Sequence, residues 1–374
     1  MAMPLTRKRS LHTTSRSISP PALRRKVGIT EDAAPTWPSS TDYVRIFSWN
    51  VNGIGPLLQR PLSFDSVSLT PLRSFLKRHD WPQLLCLQEV QISPRDTATQ
   101  RQLQRAANRG QTPDEPAYIL HLSLPRDEYN ATGFGGKVYG VATLIRDDTS
   151  SQISLTRRPD WDLEGRVLIH EFEIDLVIIN GYWVNGTSNP YRDPHTGQVT
   201  GTRHDHKLRF HQHMLEEVLQ AQREGRHVIM MGDMNVARAR VDGHPNLRTS
   251  PLQHVKNRAD FNAKFFTSKD GMRGIDVFRH LHGTSRKYTY HPRGRNWGES
   301  CDRVDMIIVS RGLVNEAGAV IGTDICDSAV DRGHSDHVPL WISLDWFKLQ
   351  SQKCRMPGER RDKSPCPWLS WLSA

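Results

Sequence analysis

The sequence predicts an α/β fold built on large mixed β-sheets whose outer faces are covered by helices. Three observations carry this expectation. Short apolar runs such as Val44-Arg45-Ile46-Phe47, Leu84-Leu85-Cys86-Leu87 and Val228-Ile229-Met230-Met231 read as buried strands. Two segments repeat apolar residues at helical spacing. The strands are interspersed with few helices instead of alternating with them one by one, which favours mixed over all-parallel sheets.

In chain order, strand 44–49 opens the folded region. Thr70-Pro71 then starts a helix through His79, with proline in the first turn and Leu72, Phe75 and Leu76 on one face. Strand 84–88 follows. Residues 93–116 are polar and read as an exposed insertion with a short helix at 98–107. Segments 140–146, 167–174 and 176–184 read as strands, and 185–203 as a loop. A helix over 205–224 presents Leu208, His211, Leu215, Val218 and Leu219 as one stripe and stops at Gly225. Strand 227–231 comes next, then a helical segment at 275–282 and strands at 287–291, 303–309 and 338–344.

The chain has 374 residues and a net charge of +10, with a pI near 9.5. Motifs at both ends of 44–345 argue for one domain, here 41–346, flanked by tails. Residues 1–40 are rich in Arg, Ser, Thr and Pro without hydrophobic period, and are expected to be a disordered basic tail. Residues 347–374 are expected to be a flexible basic tail, with the chain loose from Asp345 on. The clusters Arg7-Lys8-Arg9 and Arg24-Arg25-Lys26 suit a nuclear address. The same composition suits a mitochondrial presequence, and a solvated tail adding phosphate affinity is a third reading. The nucleus is the expected destination, with the mitochondrion as the alternative. The basic balance favours a polyanionic partner. Five cysteines without a Cys-x-x-Cys pair give neither a disulfide framework nor a zinc site. No apolar run reaches the length of about 18 residues that a membrane span requires.

Four segments place polar groups at the ends of apolar runs: Trp49-Asn50-Val51-Asn52-Gly53, Leu87-Gln88-Glu89, Gly232-Asp233-Met234-Asn235 and Ser335-Asp336-His337. Hard oxygen ligands, a base for water, amide donors and an imidazole are what metal-assisted phosphodiester hydrolysis needs. Glu89 and Asp336 are the expected ligands of Mg²⁺ or Mn²⁺. His337 has a prospective orienting partner in Asp305. Asp233 can serve an attacking water, and Asn235 can donate to a phosphoryl oxygen. Asn50 and Asn52 share a two-residue spacing that puts alternate strand positions on one side. Ordinary turn chemistry explains Asn52-Gly53 or Gly232-Asp233 equally well in isolation. Tyr182 is a candidate phosphate donor or a packed sheet tyrosine. His204, His206, His211 and His213 read as histidines of a surface helix, not as a metal site.

Taken together, these motifs resemble the endonuclease/exonuclease/phosphatase superfamily, most closely its exonuclease III/AP endonuclease branch. The likeness covers about 44–345 and adds Glu164-Gly165-Arg166, Gly181-Tyr182 and Arg303-Val304-Asp305, all in the family's order. It implies a DNase-like four-layer α/β sandwich of two mixed β-sheets flanked by helices. By matched position it implies that Asn50 organises the site, Asn52, Glu89 and Asp336 stand near the metal, and Tyr182 contacts the phosphate. Asp233 would serve the water, Asn235 would donate to the phosphate, and Asp305 would orient His337. The implied activity is that of a Mg²⁺-dependent AP (abasic-site) endonuclease of base excision repair, with 3′-exonuclease or 3′-phosphatase activity in addition. The alternative is a relative acting on RNA, undamaged DNA or another phosphodiester. The expected partner is duplex DNA with an abasic site, without membrane, and the chain is expected to act as a monomer. One departure concerns substrate choice. Cys301-Asp302 stands where an AP endonuclease carries an aromatic residue lining the abasic sugar pocket, leaving Tyr288 and Tyr290 to supply aromatic surface.

Overall fold

The computed structural model describes residues 43–59, 69–132 and 138–353. The expected N-terminal tail, and the C-terminal segment from residue 354, lie outside the described residues. Two six-stranded mixed sheets form the frame. The first runs Val320–Ile325, Leu340–Asp345, Tyr43–Asn50, Leu84–Gln88, Val141–Arg146, Tyr118–Ser123 from edge to edge. The second runs Ile275–Asp276, Asp305–Val309, His227–Asp233, Leu176–Tyr182, Val167–Phe172, Ile153–Arg157.

Side-chain alternation builds the layers. Ile46, Leu84 and Cys86 point into a core shared with Ile178, Ile229, Met231 and Ile307 of the second sheet. Their neighbours Phe47, Leu85 and Leu87 point outward, onto Leu72, Phe75, Leu76 and Leu103 of the helices Pro71–Arg78 and Thr97–Asn108. On the far side, Ile169, Val177, Ile179 and Val228 pack on Phe210, Met214 and Val218 of the helix Arg203–Arg223. Helix, sheet, sheet, helix is the expected four-layer sandwich. Strands buried on both faces read as continuous apolar runs, which is why the central ones were legible.

Where the structure departs from expectation, the cause is tertiary. The 93–116 stretch is largely exposed and carries the expected short helix, Thr97–Asn108, but the inner face of that helix is packed. Leu103, Ala106 and Ala107 are buried, and the buried Arg73 donates to Ala107 O (2.9 Å) and Pro116 O (3.0 Å). The stretch from Asp345 forms the helix Trp346–Lys353, with Trp346 and Leu349 in the inter-sheet core. Residues 287–291 form no ladder; Tyr290 makes only isolated bridges to Asp302 and His337. The buried stripe of the long helix is rotated from the expected one, running Arg203, His204, Lys207, Phe210, His211, Met214, Leu215, Val218, Ala221. Three strands that sequence reasoning missed, Tyr118–Ser123, Ile153–Arg157 and Val320–Ile325, are sheet edges, where mixed polar residues replace an apolar run. The helix Leu252–Asn262 was missed as well; it buries only Asn257 and Phe261.

One glycine is demanded by the sheet. Gly232 sits opposite Gly181 in the parallel pair with φ +136°, and a Cβ there would lie 1.9 Å from Gly181 O. The two backbones close up just before Asp233 and Tyr182, which fixes where those side chains emerge.

Candidate active site

Strand register places the key groups. Asp233 is the last residue of its strand and pairs with Tyr182 on one side and Asp305 on the other. Three polar side chains therefore stand in one row across the second sheet. On the facing sheet Asn50 pairs with Gln88, so Glu89 follows directly beyond it. Ser335 ties the last segment in: its Oγ donates to Asn50 O at 2.6 Å and accepts from His337 N at 3.0 Å.

Asn50 joins the two sheets. Its amide Nδ2 donates to Glu89 Oε1 (2.9 Å) and to Asp233 Oδ2 (3.0 Å), while its Oδ1 accepts from Asn52 N (3.0 Å). Asn52 Nδ2 donates to Asp336 Oδ1 (2.8 Å). A chain of amides thus links Glu89, Asp233 and Asp336 around one cavity of about 660 Å³, which Tyr182, Asn235 and His337 also line. Asn50 and Asn52 are not alternate strand positions as expected. Asn52 lies past the strand end with φ +45°, in a turn closed by the Asn50 side chain. Asn235 repeats the motif on the other sheet, with φ +51° and its N–H on Asp233 Oδ1 (2.8 Å). Glu89 holds φ +51°, a left-handed conformation that costs a non-glycine residue about 1 kcal/mol or more and that clusters at functional sites.

The electrostatics follow from burial. His337 Nδ1 lies 2.7 Å from Asp305 Oδ2. Burial alone would lower the imidazolium, but the charges of Asp305, Asp233 and Asp336 and the Asp305 hydrogen bond outweigh it and hold the pKa at about 10. His337 is therefore a cation at neutral pH. Burial, together with the Asp305 charge, raises Asp233 to about 7, against the opposing His337 charge. Tyr182 is pushed well above its ordinary value by burial and by Glu89, so it stays a neutral phenol that can donate. Asp233, Asp305 and His337 bring ligand-type atoms within 4.8 Å of one another.

The residues fit a hard divalent ion. Glu89 and Asp336 each have one oxygen held by an asparagine amide, and the second accepts no hydrogen bond among the described residues. Two such oxygens on one cavity are the donor set that Mg²⁺ or Mn²⁺ takes. Asn52 here donates to Asp336 and its own oxygen accepts from Gln91 Nε2 (3.2 Å), so both ends of its amide are engaged in this arrangement. Asn235 is likewise engaged, its Nδ2 spanning Trp183 O (2.9 Å) and Asp233 Oδ2 (3.2 Å). It anchors Asp233 and is not a free phosphate donor in this arrangement.

A sequence model of the Endonuclease/Exonuclease/phosphatase family matches residues 47–343. The chain belongs to this family. Among curated protein sequences none matches the chain. Solved structures with the same fold include the catalytic domain of Xenopus laevis APE2 (20% identity, 81% of this chain and 92% of that one, TM-score 0.56). The AP endonuclease LMAP from Leishmania major is similar at 19% identity, over 81% and 88% of the two chains, with TM-score 0.56. An AP endonuclease from Archaeoglobus fulgidus follows at 18%, over 81% and 99%, with TM-score 0.52. The expected superfamily is thus the one found, and the expected four-layer sandwich is the fold these solved structures share.

Glu164 and Arg166 stood out in the sequence only as motif residues without a role, and Arg203 and Lys207 were not singled out there. Glu164 accepts from Arg203 (2.6 and 2.7 Å) and Arg166 (2.5 Å), and Arg166 in turn lies over the rings of Tyr139 (3.9 Å) and Tyr182 (4.8 Å). This buried clamp braces Tyr182 from behind. Lys207, buried on the long helix, donates to Asn235 O at 2.8 Å. Its signal was the spacing Arg203-Lys207-Phe210-Met214, which places Lys207 on the buried face.

Proposed function

We propose that this family member is a divalent-metal-dependent phosphodiester hydrolase acting on DNA, of the AP endonuclease type. The observation that carries the reading is the Asn50 amide shared by Glu89 and Asp233, which sets a metal-type carboxylate and a base side by side across the two sheets. Glu89 and Asp336 would hold Mg²⁺ or Mn²⁺, which supplies Lewis-acid stabilisation of charge on the phosphoryl oxygens. Asp233, titrating at about 7, accepts the proton of the attacking water. His337, kept cationic and oriented by Asp305, neutralises charge developing on the scissile phosphate, and the Tyr182 phenol donates to it.

A nucleic-acid substrate is supported by the surface beside the cleft. His291 N donates to Asp336 O (2.7 Å), and from His291 leads a loop exposing Arg293, Arg295 and Trp297. Trp297 stacks on His291 at 3.8 Å and lies beneath Arg332. Basic and aromatic groups side by side suit a phosphate backbone with accessible base faces. The nucleus as site of action is part of the same reading, carried by the two basic clusters near the N-terminus.

Asp302 favours a second reading, a nuclease for undamaged DNA or RNA. Its carboxylate lines the cavity, where an abasic sugar would gain from an apolar or aromatic wall. Incubation of a duplex carrying one abasic analogue, an undamaged duplex and an RNA strand, with Mg²⁺ and then with EDTA, separates these readings. Metal-dependent incision at the abasic position alone supports the first, and cleavage of undamaged strands at equal rate the second. Asp233→Asn should fold normally and lose at least about 100-fold in turnover, since a reacting proton acceptor is removed. Turnover equal to wild type would refute the role given to Asp233.

A further inference from the structure

The cavity has two ends of opposite charge. Glu89, Asp233 and Asp336 stand at one end; Lys207, Arg248, His254 and Arg258 line the other. The basic end breaks a rule the rest of the molecule keeps. The buried arginines Arg73, Arg166, Arg203 and Arg303 all pair with a carboxylate. Lys207 is buried, yet among the described residues its ammonium has one hydrogen-bond partner, the carbonyl of Asn235, and no ion pair. Arg258 spends its donors on the carbonyls of Ala237 (2.8 Å) and Arg248 (2.5 Å). Arg248 itself is exposed, with one long contact to Ser250 O (3.4 Å). His254 packs edge-on against His204, ring centroids 4.8 Å apart.

These groups repel one another. Burial and the charges of Arg248, His204, Lys207 and Arg258 push His254 down to about 4. Burial brings Lys207 down to about 7, with Arg166 and Arg258 adding to it against Asp233. Arg258 is lowered by burial too, with only Asp302 opposing. Asp302 is the single acid at this end, and Lys207, Arg248 and Arg258 outnumber it. Converging cations that outnumber the carboxylates lining a cleft are the arrangement that an anion completes. The location narrows the choice of anion, because Lys207 holds the carbonyl of Asn235, whose N–H and amide hold Asp233. The vacancy in charge therefore abuts the water-activating carboxylate.

We propose that Lys207, Arg248, His254 and Arg258 form a second anion subsite that takes the phosphate next to the one being cleaved, so that the substrate is a strand with successive phosphates and not an isolated diester. This rests on the hydrolase reading for what occupies the other end of the cleft. The test is binding without turnover: titration calorimetry in EDTA with the dinucleotide TpT and with pTpT and TpTp, which carry an added terminal phosphate at the 5′ or 3′ end. In the wild-type protein one of the two phosphorylated forms should bind about tenfold more tightly than TpT, the gain expected of one charge-assisted contact. In Arg248→Gln combined with His254→Gln that gain should fall below about threefold. Arg248 is exposed and His254 half-buried, and a thermal melt matching wild type confirms that the variant is folded. A Lys207→Met variant checks the buried member in the same way. Equal affinity for all three dinucleotides, including no binding of any, overturns the subsite. So does a phosphate gain that survives in the folded variants. Failure of the wild type to cleave any strand with Mg²⁺, with the phosphate gain intact, would instead sink the hydrolase reading and leave the subsite standing.

Discussion

Replacing Asn50 by Asp tests the site through one isosteric change. The Asn50 amide lies 2.9 Å from Glu89 Oε1 and 3.0 Å from Asp233 Oδ2, and donates to both. A carboxylate in its place would face like charge at the same distances. At an effective dielectric of about 20, two unit charges about 3 Å apart repel by roughly 5–6 kcal/mol. Asp233, titrating at about 7, is largely protonated below neutrality, so Glu89 supplies most of this repulsion. The new carboxyl should therefore titrate about four units above its unfolded value of about 3.9, near 8. The sign follows from linkage. A carboxyl whose folded pKa is raised adds no penalty below its unfolded pKa, and the penalty grows with pH until the folded pKa is passed. Stability relative to wild type should thus fall by about 1.4 kcal/mol per pH unit from about pH 4, reaching roughly 4 kcal/mol at pH 7. Urea unfolding of both proteins in EDTA at pH 4, 5.5 and 7 measures this directly. A stability difference that stays flat with pH would show that Asn50 does not stand between two carboxylates, and the proposed site would lose its central link.

Other outcomes follow from the same geometry. Glu89→Ala should raise the Mg²⁺ concentration needed for half-maximal cleavage by about tenfold or more, as loss of one carboxylate ligand demands; an unaltered metal titration would remove Glu89 from the ligand set. His170 is fully buried between the sheets and, through burial first and His121 second, titrates at about 3. The unfolded chain binds its proton below about 6.5, so this residue should lower stability as pH falls from 6.5 towards 3, by about 1.4 kcal/mol per unit. His170→Leu should remove one proton's worth of that slope in urea titrations, and an unchanged slope would refute the assignment. Gly232→Ala should destabilise the protein by at least about 2 kcal/mol, because its Cβ would meet Gly181 O at 1.9 Å in a positive-φ position. A melting temperature within a degree of wild type would contradict the close strand approach.

The sequence by itself determined the central strands and the polar groups at their ends. Strands buried on both faces must be apolar throughout, so 44–49, 84–88 and 227–231 stood out, and the residues following them were visible as Asn50, Glu89 and Asp233. The pairing of Asp305 with His337 was legible because a carboxylate and an imidazole at two such ends have few other uses. Only the tertiary structure decided the rest. Edge strands and the helix Leu252–Asn262 carry no continuous apolar signal, so the wall bearing His254 and Arg258 was invisible. The amide links from Asn50 and Asn52, the engagement of Asn235, and the clamp of Arg203 on Glu164 depend on register between segments far apart in the chain. Local sequence fixes what a residue can donate or accept; which partner it meets is set by how two twisted sheets stack, and that is a property of the whole core.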